Sequence, residues 1–88
     1  MSEEQSLLQF PCDFPIKVMG RADGDLPATV ESIARRHAPD LGDDCLRTQA
    51  SKRGNYLSVT VTIRATSREQ LDALYLELNA HEAVLMTL

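Results

Sequence analysis

The element order written into this chain predicts an α+β fold, the ferredoxin-like βαββαβ sandwich, a four-stranded antiparallel sheet with two helices on one face. Three observations predict it. "YLSVTVTIRA", Tyr56 to Ala65, alternates apolar and polar residues as a half-buried strand does. "DLPATVESIARRHAP" and "TSREQLDALYLEL" repeat apolar residues at helical spacing behind a residue able to cap a helix. Short apolar runs precede the first helix and follow the second, and right-handed crossovers then put both helices on the same side of the sheet.

In chain order, residues 1–9 read as a flexible tail and residues 10–88 as one ferredoxin-like domain. "LLQFPCDFP", Leu7 to Pro15, reads as an extended lead-in, because each proline disfavours helix at the residue before it. Phe10 or Phe14 is expected to tuck against the core. "FPIKVMGR" reads as the first strand, with Phe14, Ile16 and Val18 on one face, Lys17, Met19 and Arg21 on the other, and Gly20 ending it.

Asp25 is placed to cap the next helix, whose second residue, Pro27, lacks an N–H that the first turn does not need. Leu26, Val30, Ile33, Ala34 and His37 share its apolar face; Glu31, Ser32, Arg35 and Arg36 lie opposite, and Pro39 stops the helix after Ala38. "DDCLRTQAS" alternates poorly and is polar on both sides, so it reads as an edge strand. "SKRGN" is a hairpin connection in which Gly54 or Asn55 takes the positive φ of a tight turn.

In the strand that follows, Leu57, Val59, Val61, Ile63 and Ala65 face one way and Tyr56, Ser58, Thr60, Thr62 and Arg64 the other. "TSRE" reads as a capping box with Thr66 as cap and Glu69 three residues on. Leu71, Leu74, Tyr75 and Leu78 form the stripe of the second helix, and "AVLMTL" closes the chain as a last strand.

The totals bound what the fold can do. Folding 88 residues buries roughly 60–65% of the unfolded chain's surface. A content of 43% hydrophobic and 25% charged residues suits a folded domain rather than a disordered chain. The formal charge of −4 argues against nucleic acid as a partner of the whole molecule. Cys12 and Cys45 form neither a C-x-x-C pair nor a disulfide framework, which suits a reducing compartment. The acidic start, "MSEEQSLLQF", resembles neither a signal peptide nor a membrane segment. A cytoplasmic location without membrane contact is expected.

"KRGNYLSVTVTI" resembles the third strand of an RNA-recognition motif, which shares this fold. Aligning Arg53 and Gly54 with that signature puts Asn55 and Leu57 where stacking aromatics belong, and neither can stack on a base. It would also turn Leu57, Val59, Val61 and Ile63 outward. At about 1.5–3 kcal/mol for each buried aliphatic side chain, the apolar set must face the core instead.

With that parity the open sheet face carries Lys17, Met19, Arg21, Tyr56, Ser58, Thr60, Thr62 and Arg64, joined by Arg47 if the edge strand follows suit. Acidic residues gather elsewhere, at Glu3, Glu4, Asp23, Asp40, Asp43, Asp44, Asp72 and Glu77. Such residues suit any exposed strand. They equally suit a docking surface for a partner protein or a second copy, with Lys17, Met19, Tyr56, Thr60 and Arg64 as its contacts.

"GRADGD", Gly20 to Asp25, joins the first strand to a helix N-terminus, where an anion could be held. Its spacing is no phosphate-loop fingerprint, and Asp25 as cap would occupy the free N–H groups and repel an anion. His37 reads as a boundary histidine held by a hydrogen bond, and His81 as the end of the second helix. Cys12, His37, Cys45 and His81 match no zinc spacing, so neither a metal nor another cofactor is expected. No serine, cysteine or carboxylate pair stands in a readable catalytic arrangement. The acylphosphatase family, also ferredoxin-like, uses an arginine in the first loop and an asparagine, roles for which Arg21 and Asn55 are the candidates. The rest of that phosphate loop is absent.

Taken in order, "LLQFPCDFPIKVMGRA", "RRHAP" and "SKRGNYLSVTVTI" resemble the YbeD-like family of small uncharacterised bacterial proteins, from about Leu7 to the C-terminus. The extra Arg53 in "SKRGNY" and an acidic loop after Pro39 depart from its usual form. The resemblance implies a ferredoxin-like fold similar to the ligand-sensing ACT regulatory domains. It also implies a genomic link to lipoate attachment, through a neighbouring octanoyl transferase. By analogy with ACT domains, Gly20, Arg21 and Asp23 are the ligand-binding candidates. The expected function is therefore a non-enzymatic regulatory or adaptor module, with an amino-acid or acyl-metabolite sensor as the alternative.

Overall fold

The computed structural model describes residues 9–42 and 44–88. The elements are β1 (Cys12–Arg21), α1 (Leu26–His37), β2 (Leu46–Ala50), β3 (Tyr56–Ala65), α2 (Arg68–Ala80) and β4 (Val84–Thr87). The four strands make one antiparallel sheet in the order β2-β3-β1-β4, which is the ferredoxin-like arrangement. The expected tail falls largely outside the described residues.

β1 and β3 pair over ten residues without a break, from Cys12 opposite Ala65 to Arg21 opposite Tyr56. The strand thus starts at Cys12, two residues earlier than the sequence suggests, and takes Pro15 into its interior. Pro15 is tolerated there because of strand phase. Lys17 exchanges its backbone bonds with Leu88 on the β4 side, at 3.3 and 2.8 Å, so Pro15, two residues earlier, aims its missing N–H the same way. The β1–β4 pairing lies further along the strand and leaves that position unclaimed.

Ile16, Val18, Val59, Val61 and Ile63 meet Leu26, Val30, Ile33 and Ala34 of α1 and Leu71, Leu74 and Leu78 of α2 in one buried cluster. Phe10 and Phe14 both pack against it. No polar or charged residue among those described is buried. The core is therefore held by apolar burial, with the parity of β3 as the sequence reading requires.

Two helix starts differ from expectation. Ser67, not Thr66, caps α2: its hydroxyl accepts the Gln70 N–H at 3.1 Å, while Gln70 Oε1 accepts the Thr66 N–H at 2.7 Å. The box is shifted by one residue, with Gln70 rather than Glu69 closing it. Asp25 occupies the N-cap of α1, but its side chain makes no capping bond. At the hairpin, Gly54 takes the positive φ, +76°, and Asn55 does not.

Gly20 lies inside β1, opposite Leu57 on one side and Val84 on the other. A Cβ there would sit 2.4 Å from the Ala83 carbonyl oxygen and 3.0 Å from Leu26. Close packing of β1 against β4 and α1 requires glycine at this position.

Candidate functional site

Both helices cover one face of the sheet, which leaves the other face open to solvent, and strand register decides what it displays. One cross-strand row runs Gln49, Ser58, Met19, Met86; the next runs Arg47, Thr60, Lys17, Leu88. Arg47 therefore does join the face. Beyond these rows, Tyr56 lies opposite Arg21 and Arg64 opposite Asp13. The structure thus brings the sequence-predicted residues Lys17, Met19, Tyr56, Thr60 and Arg64 onto one surface.

Sequence reasoning missed several members of it, Gln49 among them. Met86 and Leu88, 51% and 63% exposed, put an apolar border on the β4 side next to Met19. The alternation of "AVLMTL" does not reveal them, because the register shifts between Met19 and Gly20 and leaves Leu85 as an extra residue. Val84 and Thr87 consequently share the inward side. Asp13 is another, a carboxylate 3.4 Å from the Arg64 guanidinium.

Charge is sharply segregated. Six of the nine cations, Lys17, Arg21, Arg47, Arg64 and the hairpin residues Lys52 and Arg53, lie on this face or at its end. The other three sit on helices beside acids: Arg35 with Glu31, Arg36 with Glu77, Arg68 with Asp72. Among the described residues Lys17, Arg47, Lys52 and Arg53 form no ion pair. A molecule of net charge −4 therefore presents one basic, partly apolar surface.

The second candidate region is the loop after β1. The Ala22 N–H donates to the Asn55 carbonyl at 2.9 Å, which draws the hairpin against the loop. Arg21, Ala22, Asp23, Gly54, Asn55 and Tyr56 line an open depression there. Arg21 and Asn55, whose proximity the sequence does not reveal, are thus brought together, with Asp23 3.8 Å from the guanidinium. Gly20 stands apart, buried in the strand.

The two histidines are held in structural bonds. His37 Nε2 donates to Glu77 Oε1 at 2.7 Å, and Arg36 donates to the other oxygen of the same carboxylate, which ties α1 to α2. The His37 bond first, and Arg36 second, hold the Glu77 carboxyl below its usual range. His81 Nδ1 accepts the Ala83 N–H at 3.1 Å in the turn into β4. Cys12 and Cys45 are both free thiols, and burial pushes the Cys45 thiol up. Among the described residues no group of His, Cys, Asp and Glu could hold a metal ion, and no helix is long and apolar enough to cross a membrane.

Comparison with known proteins gives consistent findings. A family model described as "Protein of unknown function (DUF493)" matches residues 5–88. A UPF0250 protein of Nitrosomonas europaea is 49% identical over 85 residues, 97% of this chain and 98% of its own length. A UPF0250 protein of Leptothrix cholodnii is 52% identical over 86 residues, covering 97% and 93%. One of Chromobacterium violaceum is 43% identical over 86 residues, covering 98% and 97%. The match runs through every strand and helix described above, and on it the chain belongs to the DUF493 family of small bacterial UPF0250 proteins, the YbeD-like family of the motifs.

Proposed function

We propose that this protein is a non-enzymatic regulatory or adaptor module that captures an acidic partner protein on its open sheet face. One observation carries the reading: the helix-free face gathers most of the chain's cations around half-buried Met19 and exposed Met86. Such methionines supply adaptable apolar contact, and unpaired cations around them favour a negatively charged surface. Binding to a protein of lipoate attachment is the specific form that the family resemblance suggests.

The test is quantitative capture from the native host with Lys17→Glu/Arg64→Glu, after circular dichroism has established that the variant is folded. Loss of the partners retained by wild type supports the face. Unchanged capture by the folded variant removes it.

A second reading, a small-ligand sensor, is favoured by the depression in which Arg21, Asp23 and Asn55 meet. It predicts a saturable thermal shift with an amino acid or acyl metabolite that Arg21→Ala abolishes. The same variant in turnover assays with acyl phosphates tests the acylphosphatase comparison, which rests on Arg21 and Asn55.

A further inference from the structure

The open face is not flat, and its relief narrows what can dock there. In the row Gln49, Ser58, Met19, Met86 the smallest side chain is Ser58. Lys17, Met19, Gln49 and Tyr56 stand around it and enclose a depression of about 210 Å³. Pockets for free small molecules run to about 300–1,000 Å³, so this one suits a single side chain of a partner. Half-buried Met19 and the Tyr56 ring give it apolar walls.

Cations bracket the depression along the strands. On β1, Lys17 lies two residues before Met19 and Arg21 two residues after it, each about 7 Å away in the strand direction. Arg47 stands in the Lys17 row. The Arg21 contact with Asp23 is long, 3.8 Å, and exposed, which leaves the guanidinium able to turn to another acid. Toward β4, exposed Met86 raises an apolar border two strand spacings from Ser58, about 10 Å across the sheet.

We infer that the occupant of this face is an acidic amphipathic helix of the partner, lying along β3 and β1. One apolar side chain sits over Ser58, with an acidic residue four positions before it and another four positions after. This rests on the reading of the face as a partner-binding surface and specifies what the partner presents. β3 and β1 each pair on both sides, so their backbone groups are spent within the sheet. An extended segment laid across them would find no backbone partners there, whereas a helix bonds its own N–H and C=O groups internally. Residues four apart on a helix share a face and rise about 6 Å, which matches the cation rows on either side of the depression. A helix about 10–12 Å wide, centred over β3 and β1, also reaches the Met86 border with its flank.

The chain's own helices do not meet this pattern. Leu76 of α2 is 73% exposed, with Asp72 four residues before it but Ala80 four residues after. A second copy therefore lacks the second acid.

Titration of the isotope-labelled full chain with synthetic peptides, followed in amide correlation spectra, tests the inference. The probe is an alanine-rich helical peptide of about 18 residues with a central Leu and a Glu four residues to either side. The control has the same composition, with each Glu moved to two residues from the Leu and so onto the opposite helix face. The probe is expected to saturate with shifts centred on Met19, Gln49, Tyr56 and Ser58, and the control to bind about tenfold more weakly. Leu→Ala in the probe is expected to cost about tenfold, and Lys17→Glu in the protein about fivefold. Equal binding of probe and control overturns the inference but leaves the acidic-partner reading standing, because the face then responds to charge alone. Equal binding of a probe interrupted by proline overturns it in favour of an extended segment. Shifts at the same amides on concentrating the protein alone overturn it in favour of a second copy. Binding of neither peptide up to about 5 mM overturns the inference and the reading together.

Discussion

Gly20→Ala is expected to destabilise the protein well beyond what one added methyl group costs at a surface. The new Cβ would lie 2.4 Å from the Ala83 carbonyl oxygen and 3.0 and 3.1 Å from the two Leu26 methyls. Leu26 is 1% exposed and opens α1, so it has little room to turn away. Ala83 belongs to the turn into β4, held by the bond from the Val84 N–H to His81 at 3.0 Å. Relief therefore requires β4 to move off β1 at the register shift. Overpacking of this kind costs about 1–3 kcal/mol, and the upper half applies because the obstacle is backbone. The conformational restriction of the unfolded chain by alanine returns only about 0.4–1 kcal/mol. A net loss of about 2 kcal/mol corresponds to a fall in Tm of roughly 8–16 °C for a domain of this size. Differential scanning calorimetry measures it directly. A Tm within about 2 °C of wild type would refute the packing argument. The same geometry disqualifies Gly20→Val as a probe of ligand binding, since loss of binding and loss of fold would coincide.

The remaining expectations concern the helices and a thiol. Because its carboxyl is held below the ordinary value of 4.5, Glu77 contributes stability that is present above that value and lost as pH falls through the lower folded value. Glu77→Gln should flatten the acid limb of a stability–pH curve; an unchanged limb would show that the tie to His37 and Arg36 adds nothing. Ser67→Ala should cost about 1 kcal/mol in urea denaturation and Thr66→Ala clearly less, and equal costs would restore Thr66 as the cap. Burial disfavours the Cys45 thiolate, so in a Cys12→Ala background iodoacetamide should alkylate it more slowly in the folded protein than in denaturing urea. Equal rates would contradict that placement.

What could be read in advance follows from how local each signal is. The alternation of β3 settles its own face, because sliding it by one residue would expose four large aliphatic side chains, and it thereby excluded an RNA-binding strand. The stripes of α1 and α2 are equally local. Ser67 and Thr66 are adjacent hydroxyls with acids and amides at both plausible spacings, so only the geometry of Gln70 separates them. Asp25 was legible as a cap position but not as one whose side chain goes unused.

The candidate site was half legible for a different reason. Lys17, Met19 and Thr60 follow from parity within single strands, whereas Met86 and Leu88 depend on the register shift between β1 and β4, which no single-strand pattern encodes. The meeting of Arg21 with Asn55 likewise depends on tertiary pairing, the ten-residue β1–β3 ladder that ends at the hairpin. Charge segregation was visible in outline, but the ion pairs that occupy every helical cation were not.

The central claim, capture of an acidic partner by the open face, is tested most directly by a photoreactive residue placed at Met86 and, separately, at Leu76. Both side chains are exposed, 51% and 73%, but Met86 lies on the open face and Leu76 on α2, which belongs to the other side of the sheet. After irradiation in the native host, the account predicts a discrete adduct with one acidic polypeptide from position 86 and none from position 76. Adducts from position 76 alone would contradict it.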